Sequence, residues 1–269
     1  MLTLYHGTTS VCSQKARLGL AELGLDYESR LLDLMVGDQF APDYLKLNPN
    51  AVVPTLVDDG MVLVESSLIL EYLDETYNAG KLMPRDPDLK ARTKLWLLRC
   101  LAIHGAINSL SFATVLRARQ MAGKTPEELE AMLRKMPNPI LREKRRDLLE
   151  NGIDSIHVEA ALREMRSTLA DMNTMLMQND WISGRDYGLA DIALLAYIDR
   201  LDRLAMSGLW EEELPEVSGW LDRSKKRDSY ETAISSFVDP SASEKMYQTA
   251  VTFWPAIART WSDIQTGSD

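Results

Sequence analysis

The sequence predicts an α+β protein, with a small mixed sheet in its first 80 residues and only helices after about residue 88. Three observations support this fold class. A strand, a helix and a second strand follow one another from Leu2 to Leu34, which is typical of a right-handed βαβ unit. A β-hairpin follows at residues 52–64, and beyond it apolar residues recur mainly at helical spacing.

The first 34 residues contain the predicted βαβ unit. Leu2–Tyr5 alternates in polarity like a short strand, and it leads into the polar loop 6–10. A helix is predicted from Val11 to Gly24, where glycine provides a stop. The segment Tyr27–Leu34 then resembles a second strand, which we expect to lie parallel to the first.

The hairpin is the stretch around which the first domain is organised. Two runs rich in valine, 52–57 and 62–64, are joined by Asp58-Asp59-Gly60, and Asp-Gly is a strong hairpin signal. Pro54 lacks an N–H group, so it should begin an edge strand or lie in a sharp turn that can include a cis peptide bond. Glu65-Ser66-Ser67 should begin a helix whose free N–H groups can bind an anion.

A linker rich in glycine and proline, residues 78–87, predicts two domains, 1–80 and 88–269. The second domain should begin with a long helix over 89–121. Asp191 should lie in the first turn of a later helix, where a carboxylate can accept from free N–H groups, so we expect a structural role. Further helices are predicted at 126–135, 156–177, 215–227 and 246–257, the last interrupted by Pro255 and followed by a disordered end.

Composition excludes several classes of function. The chain has 269 residues, with 30 Lys plus Arg against 40 Asp plus Glu and a formal net charge of -10, which disfavours nucleic acid as a partner. No apolar run approaches the roughly 20 residues that span a bilayer, and the start lacks the basic and apolar regions of a signal peptide. We therefore expect a cytoplasmic protein that binds no membrane.

The cysteines predict neither a disulfide scaffold nor a metal site. Cys12 and Cys100 are far apart, and neither has metal-ligand spacing with His6, His104 or His157. The expected metal content is none, and His104 is expected to be a packed or surface histidine rather than a catalytic one.

Four motifs occur in a characteristic order: Ser10-Val11-Cys12-Ser13, Asn48-Pro49 with Val53-Pro54, Glu65-Ser66, and Gly188-Leu189-Ala190-Asp191. In this order and spacing they resemble the cytosolic glutathione S-transferases over most of the chain. The resemblance implies a thioredoxin-like first domain that binds glutathione as the cosubstrate. It also implies that the helical domain binds a hydrophobic, electrophilic small molecule, and that the protein is a homodimer.

The resemblance implies a role for each residue of the glutathione site. Val53 precedes the position of a cis proline, Pro54, and its backbone would pair with the cysteinyl part of glutathione. Glu65 and Ser66 match the positions that hold the γ-glutamyl end, and Gln39, nine residues before Asn48, is assigned to the glycyl carboxylate.

Two residues are candidates for catalysis. A free thiol with a pKa of about 8.5 is mostly protonated at neutral pH, and a hydroxyl at a helix N-terminus can stabilise the thiolate. Ser10 is assigned this role towards glutathione. Cys12 lies at the same helix start and matches the cysteine that resolves a glutathionyl intermediate in zeta-like reductive dehalogenases; the alternative is a small packed side chain.

The activity implied by the resemblance is attack of the glutathione thiolate on an electrophilic, aromatic small molecule. The reaction would be conjugation, β-aryl ether cleavage or dehalogenation, in detoxification or aromatic compound degradation. The segment 124–152 resembles bacterial β-etherases, whereas the first domain resembles zeta-like enzymes. Two alternatives stay open. One is a Cys12-dependent isomerase or thiol-disulfide enzyme, and the other is a non-catalytic protein with this fold that binds ligands.

Overall fold

The first part of the protein contains a four-stranded mixed sheet. The structure, a computed structural model, describes residues 1–267. The strand order is β2-β1-β3-β4; β1 and β2 are parallel, and the other neighbours are antiparallel. The predicted βαβ unit and hairpin are therefore present. The strands are β1 (Leu2–His6), β2 (Glu28–Leu31), β3 (Thr55–Asp58) and β4 (Met61–Val64).

The second strand is shorter than the predicted Tyr27–Leu34. After Leu31 the chain turns, because the N–H of Asp33 donates to the Asp38 carboxylate at 2.8 Å and the N–H of Met35 donates to Asp33 Oδ1 at 2.8 Å. These local hydrogen bonds to side chains compete with the backbone hydrogen bonds between the strands. The hairpin turn agrees with its prediction, since Asp59 (φ 45°) and Gly60 (φ 92°) both have left-handed backbones.

Three helices accompany the sheet: α1 (Val11–Glu22), α2 (Pro42–Leu47) and α3 (Ser66–Tyr77). The remaining described chain is helical. Its helices are α4 (Pro87–Ser111), α5 (Arg117–Met121), α6 (Pro126–Arg134), α7 (Pro139–Asn151), α8 (Ile156–Leu176), α9 (Leu189–Arg203), α10 (Pro215–Lys225), α11 (Asp228–Ala233), α12 (Pro240–Val251) and α13 (Trp254–Thr266).

The C-terminal region differs from its prediction. In place of one helix interrupted by Pro255 and a disordered end, the chain forms α12 and then α13, which reaches Thr266. Pro255 lies in the first turn of α13, where its missing N–H has no helical partner to lose. Residues 268 and 269, the last part of the predicted disordered end, lie outside the described residues.

The helix predicted over 89–121 is continuous from Pro87 to Met121, with a π-helical turn at Phe112–Leu116 joining α4 to α5. Within residues 1–267 it is the one helix long and apolar enough to cross a membrane by length and composition, with a mean hydropathy of 1.3 over its most apolar window. That window is 56% buried inside the protein, and the core helices of soluble proteins pass the same test.

Helix α1 belongs to two hydrophobic cores at once. Its Leu20 packs with Leu4 and Leu56 of the sheet, in a core formed entirely by the first part of the chain. Its Val11 and Leu18 belong instead to the large core of the helical region. The packing of α1 between these two cores therefore fixes the orientation of the helix start that carries Ser10 and Cys12.

Asp191 stabilises the start of α9 and is completely buried. Its carboxylate accepts from the N–H groups of Ile182 (2.8 Å), Ser183 (3.0 Å) and Gly188 (3.2 Å), and from Trp220 Nε1 (2.8 Å). Four donors on one carboxylate connect the preceding turn and α10 to α9. This is the structural role that the sequence predicted.

Candidate functional site

The site begins at the N-terminus of α1. Ser10 is the N-cap, and its Oγ accepts a hydrogen bond from the N–H of Ser13 at 3.3 Å. The hydroxyl hydrogen of Ser10 can then be donated to a neighbouring acceptor. Two residues further along, Cys12 lies in the first turn of the helix, where free N–H groups favour negative charge.

Cys12 is surrounded by residues from two helices of the second part of the chain. Its Sγ lies 3.3 Å from Nδ1 of His104 on α4 and 3.8 Å from the hydroxyl oxygen of Tyr197 on α9. These contacts span 92 and 185 positions of sequence, respectively. They exist because α1 packs against α9, and α9 packs in turn against α4.

The environment of Cys12 favours a thiolate. Burial raises the pKa of the thiol, but the charge of His104, its hydrogen bond, the charge of Lys15 and a hydrogen bond from Ser66 together lower the pKa to about 6. The negative charge on Cys12 raises the pKa of His104 in turn. Burial and the same negative charge hold the pKa of Tyr197 well above its usual value. At neutral pH the site therefore favours a thiolate at Cys12 and keeps the phenol of Tyr197 neutral, and the thiolate favours the protonated form of His104.

Glu65 and Ser66 form the opposite wall, where β4 meets α3. Glu65 is exposed and has a left-handed backbone (φ 72°), a conformation that costs a non-glycine residue on the order of 1–3 kcal/mol and is concentrated at functional sites. Ser66 is the first residue of α3 and is buried. This wall can bind a ligand group that carries both an ammonium and a carboxylate. The Glu65 carboxylate would bind the ammonium, and the Ser66 hydroxyl with the first N–H groups of α3 would bind the carboxylate.

The peptide bond between Val53 and Pro54 is cis, as the sequence allowed. The preceding turn is held by Asn48, whose Nδ2 donates to the Val52 carbonyl at 2.9 Å and to Thr55 Oγ1 at 3.1 Å. The hydroxyl of Tyr44 also donates to the Val52 carbonyl. Asn48 was part of a recognised motif, whereas Tyr44 had no signal in the sequence.

The predicted site residues do not all share one cavity. A cavity of about 460 Å³ includes Cys12, Glu65 and Ser66 in its wall, whereas Ser10, Gln39, Val53 and Pro54 lie outside this lining. Gln39 is half-buried on a short 3₁₀ turn, and its Oε1 has no hydrogen-bond partner. Because Oε1 and a carboxylate are both hydrogen-bond acceptors, this oxygen cannot bind a carboxylate. The amide NH₂ of Gln39 can donate to a carboxylate.

Sequence reasoning missed three side chains of the cavity. Tyr197 and His104 reach Cys12 only through tertiary packing, and the structure shows that the histidine expected to be packed or at the surface packs against the thiol. Lys15 was detectable, because it follows Cys12 by three positions and so lies on the same face of α1. The remaining lining residues are Ser67, Leu68, Glu71, Lys94, Leu97, Leu98, Cys100 and Leu101.

Two buried arginines hold the loop that precedes Ser10. The guanidinium of Arg17 donates to the carbonyl of Gly7 at 3.1 Å and to the carbonyl of Thr8 at 2.9 Å. The guanidinium of Arg200, on α9, donates to the carbonyl of Thr9. Three consecutive carbonyl groups are therefore fixed by side chains from two different helices.

Both cysteines of the described chain are free thiols, and residues 1–267 contain no group of three or more His, Cys, Asp or Glu side chains that could hold a metal ion. The groups that the site offers for chemistry are a thiol, an imidazole, hydroxyls and charged side chains.

Comparison with protein families decides the family. Residues 4–81 match the glutathione S-transferase N-terminal domain and residues 155–223 match the glutathione S-transferase C-terminal domain, together more than half of the chain. The chain belongs to the glutathione S-transferase superfamily. The fold class predicted from the sequence and the identification as a glutathione transferase, which uses glutathione as its cosubstrate, are thereby confirmed.

Two relatives of this transferase represent the two groups that its sequence resembles. It is 29% identical over 240 residues to the tetrachloro-p-hydroquinone reductive dehalogenase of Sphingobium chlorophenolicum, covering 86% of this chain and 95% of that protein. The crystal structure of the β-etherase LigF from Sphingobium sp. strain SYK-6 superimposes with a TM-score of 0.77 at 27% identity, over 88% of this chain and 98% of LigF.

A third similar structure contains glutathione. The theta class glutathione S-transferase from Xanthomonas axonopodis pv. citri, solved with glutathione bound, matches this transferase with a TM-score of 0.62 at 27% identity. The match covers 87% of this chain and 96% of that chain.

Proposed function

We propose that this transferase acts on an electrophilic aromatic compound with two thiols in succession, first that of glutathione and then that of Cys12. The observation that supports this most directly is the 3.3 Å contact between Cys12 Sγ and His104 Nδ1. A merely packed cysteine needs no such partner, whereas a nucleophilic cysteine is activated by an adjacent imidazole. The similarity to a tetrachloro-p-hydroquinone reductive dehalogenase and to a β-etherase supports an aromatic substrate.

In the first step, the glutathione thiolate attacks an electrophilic carbon and a leaving group departs with the electron pair of its bond. Ser10 donates its hydroxyl hydrogen to this thiolate and so lowers the pKa of the bound thiol. Glu65 pairs with the γ-glutamyl ammonium, Ser66 binds the γ-glutamyl carboxylate, and the backbone of Val53 before cis Pro54 binds the cysteinyl part. Gln39 is assigned to the glycyl carboxylate through its NH₂ group.

In the second step, the Cys12 thiolate attacks the sulfur of the glutathionyl–aryl thioether. A sulfur–sulfur bond forms, the carbon–sulfur bond breaks, and the ring carbon takes up one proton. The aromatic product is reduced, and Cys12 is left oxidised in a mixed disulfide with glutathione. A second glutathione thiolate then attacks this disulfide, which releases glutathione disulfide and restores the Cys12 thiolate.

The direct test is to limit glutathione and analyse the intact protein by mass spectrometry in the presence of a glutathionyl–hydroquinone thioether. We expect a protein with one added glutathione, which disappears when excess glutathione is supplied. The Cys12→Ser variant should form no adduct, whereas Cys100→Ser, which removes the other thiol, should still form it. Absence of the adduct from the wild-type protein, with the thioether unchanged, would contradict the second step.

A second candidate function is a one-thiol transferase that conjugates its substrate or cleaves an ether through Ser10 and glutathione alone. The superposition on the β-etherase LigF favours this possibility. It predicts that Ser10→Ala loses most activity and that Cys12→Ser keeps it. A non-catalytic ligand-binding protein is the third possibility, and turnover of any electrophile would exclude it.

The homodimer implied by the family is also proposed here. Helix α4 exposes a large apolar side chain outside the cavity lining, Leu95, which is 57% exposed. Burial of such apolar surface between two copies is favourable. Light scattering coupled to size exclusion should give twice the chain mass, and Leu95→Glu should give monomers.

The two domains, 1–80 and 88–269, and a cytoplasmic location complete the proposal. The family match to residues 4–81 supports the first boundary, and the acidic composition is consistent with a soluble protein. Limited proteolysis should cut first within 78–87, and cell fractionation should recover the protein with the cytosol.

A further inference from the structure

Lys15 is a buried cation at the wall of the cavity that contains Cys12. The residue is 1% exposed, and its Nζ donates to Ser67 Oγ at 3.0 Å. The same ammonium lies 5.0 Å from the centre of the Tyr197 ring. Throughout residues 1–267, no carboxylate forms an ion pair with it.

The other charges of the cavity do not balance Lys15. The thiolate of Cys12 faces two cationic side chains at once, His104, whose Nδ1 lies 3.3 Å from Sγ, and Lys15. Glu71 forms an ion pair with Lys94 at 3.3 Å. Because one thiolate faces two cations, the ammonium of Lys15 is an additional positive charge inside the cavity.

Glu65 does not supply the missing negative charge. Its side chain is exposed at the rim of the cavity and forms no ion pair with Lys15 among the described residues. In the proposed binding mode its carboxylate is occupied by the γ-glutamyl ammonium of glutathione. The uncompensated charge therefore persists when that end of glutathione is bound.

Burying an ammonium group without a counter-ion costs several kcal/mol, so such a group is normally paired or lost. The neighbouring wall makes this charge more effective, because the buried side chain of Leu97 provides apolar surface beside which electrostatic attraction is less screened than in water. The cavity of about 460 Å³ has room for an aromatic ring, since an engineered cavity of about 150 Å³ is large enough to bind benzene.

We propose that Lys15 is an anion-binding subsite, which receives a carboxylate or phenolate oxygen of a reactant bound beside Cys12. This inference rests on the proposed function and specifies its substrate class as aromatic compounds that carry an anionic oxygen. The aromatic ring packs on the leucine wall, and its oxygen replaces the missing counter-ion. The γ-glutamyl carboxylate of glutathione has the same chemistry and is the other source of such an oxygen.

The test uses isothermal titration of the full-length protein at neutral pH with benzoate and with benzamide, which have the same shape but differ in charge. The same titration with S-methylglutathione, which cannot react as a thiol, measures the contribution of the glutathione carboxylate. Each ligand is titrated into the wild type, Lys15→Met and the charge-conserving Lys15→Arg, with thermal unfolding to confirm folding. Lys15→Gln replaces the methionine variant if that variant does not fold.

We expect the wild type to bind benzoate about tenfold more tightly than benzamide, the difference that one charge-assisted hydrogen bond provides. Lys15→Met should remove this preference and Lys15→Arg should retain it. A loss of S-methylglutathione affinity of the same size in Lys15→Met would instead identify glutathione as the source of the oxygen. The proposal is overturned if the wild type shows no preference for benzoate and Lys15→Met binds S-methylglutathione normally.

These titrations involve no chemistry at Cys12. Failure of the benzoate preference would leave the mixed-disulfide experiment unaffected, and failure of the mixed disulfide would leave the titrations interpretable. The two proposals can therefore be rejected independently.

Discussion

Cys12 Sγ and His104 Nδ1 lie 3.3 Å apart, although 92 positions separate the two residues in sequence. The first turn of α1 supplies the thiol and the middle of α4 supplies the imidazole. Because each group stabilises the charged form of the other, the pair can hold a thiolate at neutral pH. This coupling predicts how the reactivity of Cys12 depends on pH.

Alkylation of Cys12 by iodoacetamide should depend on pH with a midpoint near 6. The charge and hydrogen bond of His104 help to lower the pKa of the thiol to about 6 despite its burial. Below that pH the thiol is protonated and unreactive, and above it the thiolate reacts. His104→Gln removes the positive charge, so the midpoint should rise towards the ordinary value of about 8.5 and the rate at neutral pH should fall about tenfold.

His157→Gln is the matched control for this measurement, because His157 lies at the start of α8 and is no part of the cavity. Its midpoint should equal that of the wild type. A midpoint near 8.5 in the wild-type protein would contradict the thiolate–imidazolium pair.

Ser10→Ala should raise the pKa of glutathione bound to the enzyme, because the variant loses the hydroxyl donor to the thiolate. The thiol can be titrated by ultraviolet absorbance in a Cys12→Ser, Cys100→Ser background, which leaves the protein itself with no thiol. The variant also loses the cap of α1, at a cost of about 1 kcal/mol.

Ser155→Ala separates these two effects, since Ser155 is the N-cap of α8, also donates its hydroxyl hydrogen to Asp147, and lies outside the cavity. We expect at least as large a loss of stability in this control and an unchanged thiol pKa. If Ser10→Ala also leaves the thiol pKa unchanged, Ser10 is only a helix cap.

Asp191→Ala should lower the free energy of unfolding by about 3 kcal/mol, because four buried donors lose their acceptor. Urea denaturation measures this loss. Asp239→Ala removes the exposed cap of α12 and should cost only about 1 kcal/mol. Equal losses in the two variants would show that burial of the Asp191 network contributes little.

Arg200→Met should slow turnover by about tenfold while the protein stays folded, because the loop before Ser10 loses the donor to the Thr9 carbonyl. Misplacement of a catalytic group by a fraction of an ångström is sufficient for such an effect. Steady-state kinetics should show a lower kcat and a glutathione KM that changes much less. Arg134→Met, on the exposed side of α6, is the control with unchanged kinetics.

The hairpin and the start of α3 were predictable because their signals are local. Asp59-Gly60 adopts the left-handed backbone that such a turn requires, and the peptide bond before Pro54 is cis in a position where a proline could not join a ladder. The second strand was overestimated, since hydrogen bonds made by Asp33 and Asp38 turn the chain after Leu31. Local apolar character alone did not reveal that competition.

The environment of the cavity was much less predictable. Cys12 was recognised as ambiguous, and its sequence neighbours do not distinguish a reactive thiol from a packed one. Its two partners, His104 and Tyr197, lie on helices whose apolar pattern fixes only which face is buried. The position along each helix at which they meet Cys12 depends on how α1, α4 and α9 pack.

The sequence by itself determined the α+β fold class, the family and the residues expected to bind glutathione, because these depend on short motifs and on the spacing of apolar residues. Tertiary structure alone decided that Cys12 faces an imidazole and a phenol, and that Lys15 is buried without a carboxylate partner. The physical reason is that pKa values and charge balance depend on distances and burial, and both are set by helices packed from distant parts of the chain.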